Sequence, residues 1–110
     1  MTISLAPISR AMPMDNLERR TFIVMSTAHL TEQTARHLDT TSVKDWPCIG
    51  GPYGQYGWFV YAHEENCGAG PEPIPDDLFN VMTWARKQGV EYILFDCDAA
   101  VLDDLPSHHW

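Results

Sequence analysis

Apolar positions change period repeatedly along the chain, and each change marks an element. Thr21–Met25 is a nearly continuous apolar run rich in β-formers that follows the charged Glu18-Arg19-Arg20, as expected of a strand covered on both faces. From Ser26 to Asp39 the apolar spacing becomes four, one and three at Leu30, Thr34, Ala35 and Leu38. This predicts an amphipathic helix with Thr27 or Thr31 as N-cap. Its stripe is narrow, so it should cover one face of a sheet rather than stand in a bundle. Residues 40–57 hold Pro47, Gly50, Gly51, Pro52, Gly54 and Gly57, a density of breakers that stops any long element. Trp58–Ala62 is aromatic and β-branched and is the second predicted strand, with a start as early as Tyr53. Two faces alternate there, Trp58, Val60 and Ala62 against Phe59 and Tyr61, and the pattern alone does not choose the inward one. Pro71, Pro73 and Pro75 forbid a ladder in the polar stretch 63–75.

Asp76–Gln88 carries the strongest helical signal. Leu78, Val81, Met82 and Ala85 form an i, i+3, i+4, i+7 stripe, widened by Phe79 and Trp84. Asp76 and Asp77 suit the positive end of the helix dipole, Arg86 and Lys87 the negative end, and Gly89 a C′ cap. Val90–Phe95 is the third predicted strand, running into Asp96-Cys97-Asp98. The order strand-helix-strand-helix-strand predicts a small α/β domain with a mostly parallel sheet of three to five strands. The rival is an α+β domain in which Tyr53–Tyr61 makes an antiparallel hairpin. Residues 20–110 form the predicted domain and 1–19 an amino-terminal arm, either frayed or adding an edge strand through Ile3, Leu5 and Ile8.

Composition narrows the class. At 110 residues, 45% hydrophobic and 20% charged, the chain is one globular domain rather than a disordered or low-complexity segment. No apolar run approaches the roughly 18 residues of a membrane span. Cys48, Cys67 and Cys97 are odd in number and form no Cys-x-x-Cys pair, which excludes a disulfide framework and points to a reducing cytoplasm. The net charge of −8 is one-sided: residues 1–63 hold five acids and five Lys or Arg, whereas residues 64–110 hold ten acids and two. Such a surface repels phosphate backbones and anionic lipid, so neither direct nucleic-acid binding nor membrane binding is expected. A protein partner with a basic surface is the complementary expectation.

Chemistry-bearing residues cluster where predicted strands end. Ser26 and His29 follow the first strand, His63 and Glu64 the second, Asp96 and Asp98 the third. If all three strands run parallel, these groups share the edge where α/β sheets bind ligands. Two carboxylates two residues apart can share a cation, or one can hold a proton. Tyr92–Leu102, with its Asp96-Cys97-Asp98 core, resembles the first motif of haloacid-dehalogenase-type phosphohydrolases. The resemblance implies a nucleophilic first Asp, an acid/base second Asp and magnesium. The Thr/Ser, Lys and acidic motifs that complete such a site have no counterpart after Asp98, so that enzyme is not expected. His63-x-x-x-Cys67 has two-ligand zinc spacing but lacks a second close pair, and His108-His109 offers only adventitious metal binding. No cofactor is therefore expected. Gly50–Gly57 is glycine-rich, yet Pro52 removes an amide donor and no Lys-Ser/Thr follows, so it is not a phosphate loop. Cys97 lies between two acids that disfavour its thiolate. Tyr53 and Tyr56 are interface candidates, because tyrosine carries much of the energy of protein contacts.

Ser26–Thr31 after a strand, Pro52–Tyr61, and Asp96–Ala99 leading to Leu105–Trp110 together resemble a family of uncharacterised small proteins encoded on bacterial plasmids, prophages and integrative elements. The resemblance spans about residues 20–110. It implies an accessory protein that binds a host or phage protein, with inhibition of a nucleic-acid-targeting defence system as the expected mode. The expected partner contacts are Glu64, Glu65, Glu72, Asp76, Asp77, Asp103 and Asp104, with Tyr53 and Tyr56. A homodimer is also allowed. The alternative expectation is a small metal-dependent or acid/base hydrolase using Asp96 and Asp98 with His29 or His63.

Overall fold

The computed structural model describes residues 17–66 and 70–110. Residues 1–16 of the arm, with Ile3, Leu5 and Ile8, and the Cys67 half of the His63–Cys67 pair lie outside the described residues. The described elements are β1 (Phe22–Ser26), α1 (Glu32–Thr40), β2 (Gly50–Tyr53), β3 (Gly57–Tyr61), α2 (Asp76–Lys87) and β4 (Tyr92–Asp96), with 3-10 turns at Thr27–His29 and Val43–Asp45.

The sheet corrects the expected α/β class. Its order is β1-β4-β3-β2, and only β1 and β4 run parallel; β3 is antiparallel to both β4 and β2. The domain is therefore α+β with a mixed four-stranded sheet. The reason lies in the segment between β3 and α2. Helix α2 spans about 18 Å at 1.5 Å per residue, the length of a strand, and it ends beside the start of β4. In a right-handed parallel crossover the helix alone would return the chain. Here the described residues 62–66 and 70–75 lie between the end of β3 and the start of α2, and α2 then makes a pass of its own, so β4 begins where β3 ended. Asn66 and Ile74 anchor the described ends of this segment to each other. Ile74 is fully buried, and the Asn66 side chain brackets it, donating to Ile74 O at 3.0 Å and accepting from Ile74 N at 2.7 Å.

The breaker-rich stretch contains a strand after all. Strand β2 pairs Gly50 with Val60 and Pro52 with Trp58, and it lies at the sheet edge, where a proline without an N–H is tolerated. The β2–β3 turn closes with Tyr56 N–H donating to Tyr53 O at 2.9 Å across Gly54, whose φ of +53° favours glycine. Gly57 is required by proximity: a Cβ there would overlap the carbonyl oxygen of Phe95.

Both helices cover one sheet face. Met25, Trp58, Val60, Ile93 and Phe95 point into the core and meet Ala35 and Leu38 of α1 and Leu78, Val81, Met82 and Ala85 of α2. The inward set on β3 is thus Trp58 and Val60, continued by Ala62. The opposite sheet face is aromatic and open. Phe22 and Val24 are 50% and 43% exposed, and Phe59, Tyr61 and Tyr92 are half-buried against one another, with Phe59 and Tyr92 stacked at 5.3 Å. The first helix is shorter than its pattern predicted. The 3-10 turn capped by Ser26 Oγ occupies Thr27–His29, and Thr31 caps α1.

Candidate functional site

Because β3 opposes β1 and β4, the candidate residues divide between two ends of the sheet. One end collects the carboxyl ends of β1 and β4 and the β2–β3 turn. Cys97 N–H donates to Tyr56 O at 2.8 Å, Ser26 N–H to Ala100 O at 3.1 Å and His108 N–H to Ala28 O at 2.8 Å. Residues 97–110 are thereby drawn across the top of the sheet. His63 follows β3 and lies at the other end, beyond the Tyr61–Tyr92 pair. The shared edge expected from three parallel strands does not form, and His63 does not meet Asp96 or Asp98.

His29 is at the first end but is fully employed. It is 1% exposed. Its Nδ1 lies 2.7 Å from the carbonyl oxygen of Pro106, and its Nε2 accepts from Leu102 N–H at 2.9 Å. Those two partners require the Nδ1–H tautomer and leave neither nitrogen for a substrate proton. The ring clamps the segment 97–110 to the domain. His63 is employed in a similar way, Nε2 accepting from Ile49 N–H at 3.0 Å, and burial followed by the nearby Arg86 charge lowers its pKa.

Asp96, Cys97 and Asp98 offer ligand atoms within 4.8 Å of one another. Asp96 Oδ1 accepts the Asp98 N–H at 2.9 Å, which folds the segment into a tight Asx turn. The Cys97 thiol is pushed up, by desolvation first and then by the Asp98 and Asp96 charges, so it stays protonated near neutrality. Half-buried Asp96 and exposed Cys97 and Asp98 supply three candidate ligand atoms, one fewer than the four of a closed structural zinc site. Buried Cys48 is pushed up to about 12 by burial.

Charge separates along the same axis. Segments 27–31, 53–57 and 96–110 contain no Lys or Arg. They contribute Asp96, Asp98, Asp103 and Asp104, and α2 starts nearby with Asp76 and Asp77. Among the described residues none of these six is in an ion pair. The opposite end is neutralised locally: Arg20 pairs with Glu18 and with Glu91 at 3.0 Å, and Arg86 with Glu64 at 3.5 Å. Arg86 also donates to Ala62 O at 2.6 Å.

The expected partner contacts accordingly take different places. Asp103, Asp104 and Asp76 are exposed at the acidic end, and Tyr53 and Tyr56 are exposed at the hairpin tip, their rings 5.9 Å apart. Glu64 belongs to the opposite end, with exposed Glu65 beside it in sequence, and Glu72 lies 4.0 Å from His37 Nε2. Asp77 is a structural clamp. It accepts from Thr31 N–H at 2.9 Å, Thr31 Oγ1 at 3.1 Å and Thr34 Oγ1 at 2.7 Å, holding the start of α1 to the start of α2.

Sequence reasoning missed Asp39, Trp58 and Trp110 as a group. Trp58 Nε1 donates to Asp39 Oδ1 at 2.9 Å, and Trp110 Nε1 to Leu30 O at 2.9 Å. Together with Tyr56 these residues line a cleft of about 320 Å³ at the acidic end. No spacing rule links positions so far apart, and only the fold joins them.

Fold and site define a small α+β domain with one acidic, histidine-clamped end, and no helix among the described residues is long and apolar enough to cross a membrane. Residues 22–110 match the family of unknown function DUF5983, C-terminal domain, and the chain belongs to that family. No curated protein and no solved structure matches the chain.

Proposed function

We propose that this chain is a non-enzymatic docking protein whose acidic end binds the basic surface of a protein partner. The observation that carries this reading is the segregation of charge: Asp96, Asp98, Asp103, Asp104 and Asp76 have no ion-pair partner among the described residues, Arg36, which lines a cleft with Asp76, is paired with Glu32, and Arg20 and Arg86 are paired at the far end. Asp96, Asp98, Asp103, Asp104 and Asp76 are the contacts, with Tyr56 as an aromatic anchor. Complementary potentials steer association and fix orientation. The engagement of both His29 nitrogens and the place of His63 at the other end of the sheet favour docking over the hydrolase alternative.

The mobile-element resemblance gives this activity a setting. An acidic accessory protein of a plasmid or prophage in the cytoplasm competes with nucleic acid for a basic groove of a host or phage protein, and so inhibits a nucleic-acid-targeting defence system. The test is a titration of the full chain with lysine- and arginine-rich peptides at rising salt. Affinity should fall roughly tenfold or more between low and physiological ionic strength, since exposed charges are screened over about 8–10 Å. Asp103→Asn with Asp104→Asn should weaken it further. A salt-insensitive complex, or one unaffected by these substitutions, overturns the reading.

A further inference from the structure

The cleft at the acidic end has the chemistry of a cation receptor. Its walls are the exposed rings of Tyr56 and Trp110, with Trp58 almost wholly buried beneath and Thr27, Cys97 and Asp39 between them. No Lys or Arg lines it. Asp39 is held in place because its Oδ1 accepts the Trp58 indole N–H at 2.9 Å, and among the described residues its second oxygen has no hydrogen-bond partner. The Trp110 ring is positioned by its own N–H bond to Leu30 O, and the Tyr56 backbone is tied on both sides, to Tyr53 O and Cys97 N. Aromatic faces around a fixed carboxylate attract a cation through the ring quadrupoles and a charge-assisted hydrogen bond together.

We propose that this cleft receives a single arginine side chain of the basic partner, the guanidinium lying against Tyr56 and Trp110 and donating to the free oxygen of Asp39. This deepens the docking reading and rests on it for its biological role. Arginine is favoured over lysine because a planar guanidinium stacks on rings and sheds its hydration more readily than an ammonium. The thiol of Cys97, protonated near neutrality, contributes a neutral wall.

The test uses the isotope-labelled full chain titrated with N-acetyl-arginine amide, the lysine equivalent and the neutral isostere citrulline, reading the indole N–H resonances of Trp58 and Trp110. Arginine should shift both indoles and saturate, lysine should bind several-fold more weakly, and citrulline should bind at least about tenfold more weakly. Asp39→Asn keeps the acceptor for Trp58 and removes the charge, and should cost about tenfold in arginine affinity. Tyr56→Leu keeps both backbone bonds and should cost several-fold. Equal shifts with citrulline, or unchanged affinity in Asp39→Asn, overturn the proposal. If a lysine-only peptide binds the acidic end while arginine amide moves neither indole, the cleft proposal fails and docking stands. If arginine amide binds but no basic peptide shows salt-dependent affinity, docking fails and the cleft stands.

Discussion

Replacing His29 with phenylalanine separates a structural histidine from a catalytic one. The ring volume is nearly kept, so no large cavity opens, while both polar contacts vanish: the 2.7 Å bond to Pro106 O and the 2.9 Å bond from Leu102 N–H. Each ordinary hydrogen bond contributes about 1 kcal/mol net, and a donor left buried without a partner costs about 1–3 kcal/mol. The loss should therefore be about 2–3 kcal/mol. It is limited by an alternative, in which residues 97–110 lift away and hydrate Leu102 N–H at the expense of the Ser26–Ala100, His108–Ala28 and Trp110–Leu30 bonds. For a domain of this size that corresponds to a melting-temperature drop of about 8–20 °C. Urea unfolding gives the free energy, and amide exchange at Leu102 and His108 shows whether the segment opens locally. His29→Gln, which can still donate and accept, should recover part of the loss. A His29→Phe variant within about 0.5 kcal/mol of the parent, with Leu102 still protected, would refute the clamp.

Two further outcomes follow from the same geometry. Asp77→Ala removes three hydrogen bonds between the helix starts and should cost about 2–4 kcal/mol in chemical denaturation, whereas Asp76→Asn, exposed at the next position, should cost less than about 0.5 kcal/mol; equal effects would contradict the assigned roles. His63 has a folded pKa below its ordinary 6.5, from burial and then Arg86. The unfolded chain therefore takes up a proton before the folded one does, so this contribution to stability is complete above about pH 6.5 and is lost as pH falls through the folded pKa. The urea midpoint should decline between about pH 7 and pH 5, and less so in His63→Gln, which accepts from Ile49 N–H without titrating; an identical decline would exclude His63 as a source.

Local patterns were legible where local physics decides. The α2 stripe, its acidic start, its basic end and Gly89 at φ +86° follow from periodicity and the helix dipole, and they hold in the structure. Strand β2 was not legible, because Gly-Gly-Pro-Tyr has little strand character of its own and pairs only when β3 presents an edge. The grouping of candidate residues was legible in part: Asp96 and Asp98, expected as a hydrolase alternative, share one end of the sheet with Asp103, Asp104 and Tyr56, expected as partner contacts. The surroundings of His29 were not legible, since the groups that occupy its two nitrogens, Pro106 and Leu102, are more than seventy residues away. Asp76 and Asp77 look alike as neighbours, and only helix phase turns Asp77 toward Thr31.

Periodicity, breakers and charge order along the chain were set by the sequence itself, because each depends on neighbours within a few positions. The direction of β3, the separation of His63 from Asp96, and the meeting of Asp39 with Tyr56, Trp58 and Trp110 were decided only in the folded domain. They depend on how the chain returns between β3 and β4 and on where residues 97–110 are clamped, and no local energy encodes either.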